Sequence, residues 1–337
     1  MFYKDQKGTT MNHEQVKAVF IGGLNTDIIA TGVNALLHSG ELTRSGELVI
    51  GPGGKSRNMA QMMAVYYGRD TVAMVGRTSK DPYNLWQVPY DALKKAGVIT
   101  DYIKVMDMSE TGKFPGVALI PVNRKGENQI YCIPGINDDF CPADIDAAVP
   151  LFKSAAENDG ILAMSLELPL ETAVYAAKKA IALGLRVVLD PGGIEKDIDY
   201  APLLKSAIYF LKPNEHETEI LTGIAVKDMV DARQAARAFF RMGIEHVLIT
   251  HGKNGAYLFG NGIEEHIPVR KLEDTGVADE TGCGDQTMAV LCAEIVSGEN
   301  VCEAFRRAVL AGTMQYHRLG IQPVTRNELN DMMLKME

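Results

Sequence analysis

The chain has 337 residues, 46% of them hydrophobic and 23% charged, which allows one large domain or two ordinary ones with a sizeable core. A formal net charge of −9 without a basic stripe argues against a nucleic-acid binder, because nothing would neutralise a run of phosphates. No apolar run approaches the roughly 18 residues that a membrane span needs, which argues against a membrane partner.

Residues 1–15 are polar, lack the apolar core of a signal peptide and read as a tail. Short β-branched runs then alternate with amphipathic segments. Residues 16–21, 71–75, 160–164, 186–190, 208–211 and 246–250 read as buried strands. Residues 56–67, 83–95, 169–183, 214–222, 228–242 and 286–296 read as helices. The alternation implies an α/β fold, a parallel sheet sandwiched by helices. Two stretches break it. Residues 36–50 and 113–133 have strand character, turn signals such as Arg124-Lys125-Gly126-Glu127 and no attached helix, which suggests a small inserted β-sheet lid or ordinary surface hairpins. The expected division is residues 16–30, 55–107 and 136–337 for the α/β domain, with residues 31–54 and 108–135 for the lid. Five cysteines, Cys132, Cys141, Cys283, Cys292 and Cys302, form no C-x-x-C pair and point to reduced thiols in a cytoplasmic protein without a zinc site.

Three motifs carry chemistry. After the first strand comes Gly22-Gly23-Leu24-Asn25-Thr26-Asp27, where Asn25 and Asp27 project to one side of an extended chain and can hold adjacent hydroxyls of a polyol. The same pair is also a common turn signal. No G-x-G-x-x-G follows this strand, which counts against a dinucleotide enzyme. The second motif is Gly51-Pro52-Gly53-Gly54-Lys55-Ser56-Arg57-Asn58. Its Gly-Lys-Ser invites a P-loop reading, but the glycine required five positions before Gly54 is Val49. Its glycines let main chain approach a polar ligand, with Lys55 and Asn58 three apart on one helix face. The third is Asp279-Glu280-Thr281-Gly282-Cys283-Gly284-Asp285, which opens a helix. A glycine turn at a helix N-terminus makes an anion site. Asp285 in the first turn is either a decoration of the helix start or a proton acceptor beside that donor cradle. The second reading suits phosphoryl transfer to a hydroxyl.

Taken in this order, the motifs resemble those of the ribokinase-like (PfkB) family of sugar and nucleoside kinases, over residues 19–328. Gly116-Val117-Ala118-Leu119-Ile120 and Gly126-Glu127-Asn128 resemble the lid region of ribokinase. The resemblance implies an ATP-dependent kinase acting on a primary hydroxyl of ribose or a related sugar, with a nucleoside or sugar-phosphate kinase as the alternative. A non-catalytic sugar or nucleotide sensor is the rival from a different class. The implied substrate pocket is Asn25, Asp27, Gly53, Gly54, Lys55, Asn58 and Glu167. Asp285 is implied as general base, with the amides of Gly282, Cys283 and Gly284 as anion hole. Asn214 and Glu217 would serve Mg²⁺ and phosphate through waters, though their spacing also suits a helix cap. Thr250, Gly252, Lys253 and Gly255 would run along the nucleotide, with His251 a loop side chain. Asp279, Thr281, Gln315, Arg318 and Gly320 align with a monovalent-cation site of backbone carbonyls, implying K⁺, although Val324 stands where a serine is expected. The resemblance also implies a homodimer formed through the lid. Arg57 stands where the family carries a small residue. It is expected to point to solvent, with recognition of a phosphorylated sugar as the alternative.

Overall fold

The computed structural model describes residues 3–4, 10–11, 15–44, 46–124, 127–273 and 275–336. Most of the tail and the Lys125-Gly126 turn lie outside the described residues; within the tail, Tyr3–Lys4 pairs antiparallel with Thr10–Met11.

Among the described residues a nine-stranded sheet runs in the order Ile263–Ile267, Ala256–Gly260, His246–Thr250, Phe210–Leu211, Arg186–Asp190, Ile161–Ser165, Ala18–Ile21, Val72–Lys80, Ile103–Asp107. The first two strands join antiparallel and the rest are parallel. The six expected strands all belong to it.

Strand pleating explains the two cores. Ala18 and Phe20 face one layer, with Met59, Met62, Met288, Leu291 and Phe305. Val19 and Ile21 face the other, with Phe152, Ala173, Ala177, Ala235 and Phe239. Continuous apolar strands of this kind are what a sheet covered on both faces requires. The helices on the first face include Lys55–Tyr67, Gln87–Ala96, Cys283–Val296 and Val301–Tyr316; those on the second include Val149–Glu157, Leu170–Ala182 and Met229–Arg241. Their ends follow local chemistry. Asp228 accepts from the N–H groups of Val230 and Asp231, and Gly97 closes its helix in the left-handed region.

A second sheet of four strands runs in the order Glu47–Gly53, Asn25–Val33, Gly116–Asn123, Tyr131–Ile133. It departs from the expected boundaries. The Asn25–Val33 strand pairs with Gly53 on one side and Gly116 on the other, so the small sheet begins at Asn25 rather than at residue 31. Residues 36–44 add no strand to it. All five cysteines are unpaired.

Candidate active site

Parallel strands bring their C-terminal ends to one edge, and open α/β sheets gather their ligand groups there. Gly22-Gly23 follows Ile21, Glu167 follows Ser165, Asp190 ends its strand, Lys212 follows Leu211 and Thr250 ends its strand. Two helices start over that edge and pack together, Lys55–Tyr67 behind Gly53-Gly54 and Cys283–Val296 behind Gly282. Gly282 has φ 74°, a left-handed turn that glycine enters without a Cβ penalty.

The N-termini of these helices are joined by one hydrogen bond, from Asn58 Nδ2 to Asp285 Oδ2 at 2.8 Å. Arg57 explains the orientation of that amide. Its Nη2 donates to Asn58 Oδ1, which turns the Asn58 nitrogen towards Asp285. Arg57 also donates to Gln61 Oε1 and, at 3.3 Å, to the Pro52 carbonyl. It has no exposed surface, so it does not point to solvent. The helix is buried around most of its girth, with Met59, Ala60, Met62 and Met63 all enclosed, which leaves position 57 no outward face. Its bound guanidinium also gives no support to recognition of a sugar phosphate.

The residues expected around a sugar lie close together here. Glu167 Oε2 accepts the backbone N–H of Lys55 at 2.8 Å. Asn137, which sequence reading missed, accepts from Leu24 N at 3.2 Å and donates to Asn25 Oδ1 at 2.9 Å, fixing the Asn25 amide. The glycines make room. A Cβ on Gly53 would collide with the Asp27 carboxylate, and one on Gly54 would lie 2.5 Å from the Gly23 carbonyl oxygen.

Carboxylates crowd this edge, and burial shapes their titration. It pushes Asp27 up to about 6, against the nearby Arg57 cation and with Asp285 adding repulsion. It pushes Glu167 up to about 7, against Lys55. Asp285 is likewise raised by burial, opposed by Lys55 and by the Asn58 hydrogen bond. Lys55 is held firmly cationic, chiefly by Asp285, despite burial. Asp285 is therefore a carboxylate that binds a proton more readily than an ordinary Asp, beside a fixed positive charge.

At the phosphate side, Lys212 and Asp190 form a buried ion pair at 2.8 Å. Lys212 Nζ lies 3.6 Å from where a Cβ on Gly284 would sit, next to the helix N-terminus. Burial and the Asp190 charge raise Glu217. Asp190 and Lys212 went unread in the sequence, although a charged residue ending a buried apolar strand was the available signal. Of the three amides expected to form the anion hole, that of Cys283 is folded back by the Gly282 turn onto the Glu280 carbonyl at 3.2 Å. Helix geometry leaves the N–H groups of Gly284 and Asp285 without intrahelical acceptors. Burial pushes the Cys283 thiol up to about 12, so it is no nucleophile at neutral pH.

Asn214 and Glu217 form a reciprocal cap, with Glu217 N donating to Asn214 Oδ1 at 2.8 Å and Asn214 N to Glu217 Oε2 at 2.9 Å. Asn214 bridges to Thr250, whose N–H donates to the Pro213 carbonyl at 2.9 Å. Gly252 and Lys253 are exposed, Gly255 is buried, and the His251 N–H donates to the Gly255 carbonyl at 2.8 Å. Among the described residues no group of three His, Cys, Asp or Glu side chains is arranged around a metal. The residues expected around a monovalent cation also come together, but Gln315 turns its side-chain nitrogen onto the carbonyls of Thr281 and Gly320. As they stand, they do not fit an ion.

The parallel α/β sheet thus carries an acid–amide–lysine cluster at the N-termini of two helices. Residues 15–326 match the pfkB family of carbohydrate kinases, and the chain belongs to that family. It is 29% identical over 302 residues to the deoxyribokinase of Salmonella typhi, covering 90% of this chain and 93% of that one. It is also 29% identical over 310 residues to the ribokinase of Staphylococcus aureus, covering 91% and 95%. The structure of Arabidopsis thaliana ribokinase complexed with ribose and ATP superposes with a TM-score of 0.80 at 25% identity, covering 94% of this chain and 98% of that one. The chain is an ATP-dependent sugar kinase with a ribokinase-like fold.

Proposed function

We propose that the sugar is ribose or 2-deoxyribose and that the acceptor is its primary hydroxyl. The observation that carries this reading is the hydrogen bond from Asn58 to Asp285, with Lys55, Glu167 and Asp27 close enough to act on the Asp285 charge. The deoxyribokinase and ribokinase relatives support a pentose.

In this reading Asn25 and Asp27 hold ring hydroxyls, and Glu167 and Lys55 hold the sugar against the helix start. Asp285 takes the hydroxyl proton as the oxygen attacks the γ-phosphorus. The helix N-terminus at Gly282–Gly284, with Lys212 behind it, receives the transferring charge. The nucleotide lies along Thr250, Gly252, Lys253 and Gly255. Mg²⁺ travels with its phosphates and reaches Glu217 through water, supplying charge neutralisation when bound. The small sheet serves as a lid that excludes water from the transfer. Its outer side chains, including Leu48, Ile50 and Tyr131, are exposed, which supports a homodimer formed through it. A cytoplasmic location fits the free cysteines. Among the described residues no helix is long and apolar enough to cross a membrane.

The test is ADP release with Mg-ATP across ribose, 2-deoxyribose, fructose, fructose 6-phosphate, adenosine, inosine and cytidine. Turnover dominated by a free pentose is the expected result. Preference for a nucleoside or a sugar phosphate would overturn the substrate assignment.

A further inference from the structure

We propose that the Gln315 side-chain amide takes the place of a monovalent cation, so that phosphoryl transfer by this chain is independent of K⁺. Gln315 lies near the end of the Val301–Tyr316 helix and has no exposed surface. Its Nε2 donates to the Thr281 carbonyl at 3.2 Å and to the Gly320 carbonyl at 2.5 Å. Two carbonyl oxygens are both acceptors, so the nitrogen end of the amide must face them. An –NH₂ group and a small cation satisfy such a pair of oxygens in the same way, with positive charge at about 3 Å.

Other oxygens around this position are also served by the protein. Asp279 Oδ1 accepts from Thr281 N at 2.9 Å and Oδ2 from Gly320 N at 2.8 Å. The Asp279 carbonyl accepts from the Cys283 thiol at 3.5 Å, and the Gln315 carbonyl from Arg318 N at 2.9 Å. Arg318 itself turns to the carbonyls of Gln322 and Pro323 and to Glu328. Val324 is buried and brings no oxygen side chain. A cation entering here would have to displace the Gln315 hydrogen bonds to the Thr281 and Gly320 carbonyls.

The position gives the amide its role. Thr281 precedes the Gly282 turn, and Gln315 Nε2 lies 3.9 Å from where a Cβ on Gly282 would sit. Pinning the Thr281 and Gly320 carbonyls fixes the turn that launches the Cys283–Val296 helix and therefore Asp285. Gln315 is a positioning residue that touches neither substrate nor nucleotide in this arrangement.

The test compares KCl with choline chloride at equal ionic strength. The native enzyme should turn over Mg-ATP and pentose within two-fold in the two salts, and its Tm should not differ between them. Activation by K⁺ of more than about five-fold, or a K⁺-specific rise in Tm of several degrees, would overturn the proposal. Gln315→Ala frees both carbonyls and opens space, so its turnover in choline chloride should fall at least ten-fold and recover in KCl. Gln315→Met fills the space without a donor; it should lose turnover in both salts at near-native Tm. Full turnover of either variant in choline chloride would sink the positioning role. The rate measurements rest on the kinase reading. If no sugar is turned over in either salt, that reading fails, while the comparison of native Tm still decides whether a cation binds.

Discussion

In the nine-stranded sheet Phe20, Met164, Leu189 and Val247 have no exposed surface, whereas in the four-stranded sheet Leu48, Ile50 and Tyr131 expose 67%, 49% and 57%. The two sheets also hold their polar groups differently. At the edge of the large sheet Arg57, Asn58 and Asp285 are chained by buried hydrogen bonds, and Glu167 accepts the Lys55 backbone N–H beside them. The small sheet contributes Asn25 and Asp27 at its inner end, where Thr26, Val117 and Ala118 are also buried, and leaves Leu48, Ile50 and Tyr131 exposed. The difference teaches where precision comes from. A proton acceptor must be placed within a fraction of an ångström, and only backbone locked on both faces supplies that. In the proposed reading the small sheet covers the sugar, and a cover that opens and closes is expected in an element with little buried surface.

The largest expected effect lies at the rigid end. Asp285→Asn should cut kcat by about 10²–10⁴-fold, the usual worth of a general base, with ATP binding by calorimetry near normal. Unchanged turnover would remove Asp285 from the chemistry and erase the contrast between the two regions.

Arg57→Met tests whether the buried guanidinium positions the base. We expect kcat to fall about ten-fold as the Asn58 amide loses its orienting donor. Arg57 also holds the Asp27 carboxyl down, so its removal raises that group further above about 6. The acid limb of kcat/KM should then move to higher pH. A rate loss with an unmoved pH profile would reduce Arg57 to packing.

Glu167→Gln probes the cost of the buried acids. The folded chain pushes this carboxyl up to about 7 from an ordinary 4.5. Between those values the folded state binds more protons than the unfolded state, so stability falls as pH rises through that window. Removing the carboxyl should raise stability at pH 8 by about 1–3 kcal/mol and leave it little changed at pH 4. Urea titrations at the two pH values check this, and an equal effect at both would refute it. Sugar KM should rise in the same variant.

The smallest thermodynamic effect belongs to the open region. Ile50→Glu should change stability of the protomer by no more than about 0.5 kcal/mol, as at other exposed sites. Light scattering should show its mass halved relative to the native protein. A native mass unaffected by the change would separate the small sheet from any dimer contact.

Much of this molecule could be read from its residues in order. Apolar runs at residues 186–190 and 246–250 became strands with those bounds, because a strand buried on both faces has no other way to satisfy its side chains. The motifs around Lys55 and Asp285 announced a helix start each, and both are there. What local pattern did not reveal was membership and direction. Residues 25–30 fall in the expected α/β domain but pair into the small sheet, since an extended run carries no mark of the sheet that will pair with it. Arg57 was read as solvent-facing, because a charge on a helix is usually solvated and only the packing of the Cys283–Val296 helix against its own helix closes that face. Asp190 and Lys212 lie 22 positions apart, and neither announces the other until parallel strands set them side by side. Gln315 read as one member of a cation cage by alignment of its backbone. Which way its side chain turns depends on carbonyls 34 and 5 positions away, and hydrogen bonds over such separations exist only once the chain has folded. Local chemistry thus determined the elements and the reacting groups. Long-range packing decided which polar atoms meet, because a buried donor takes whatever acceptor the fold brings to it.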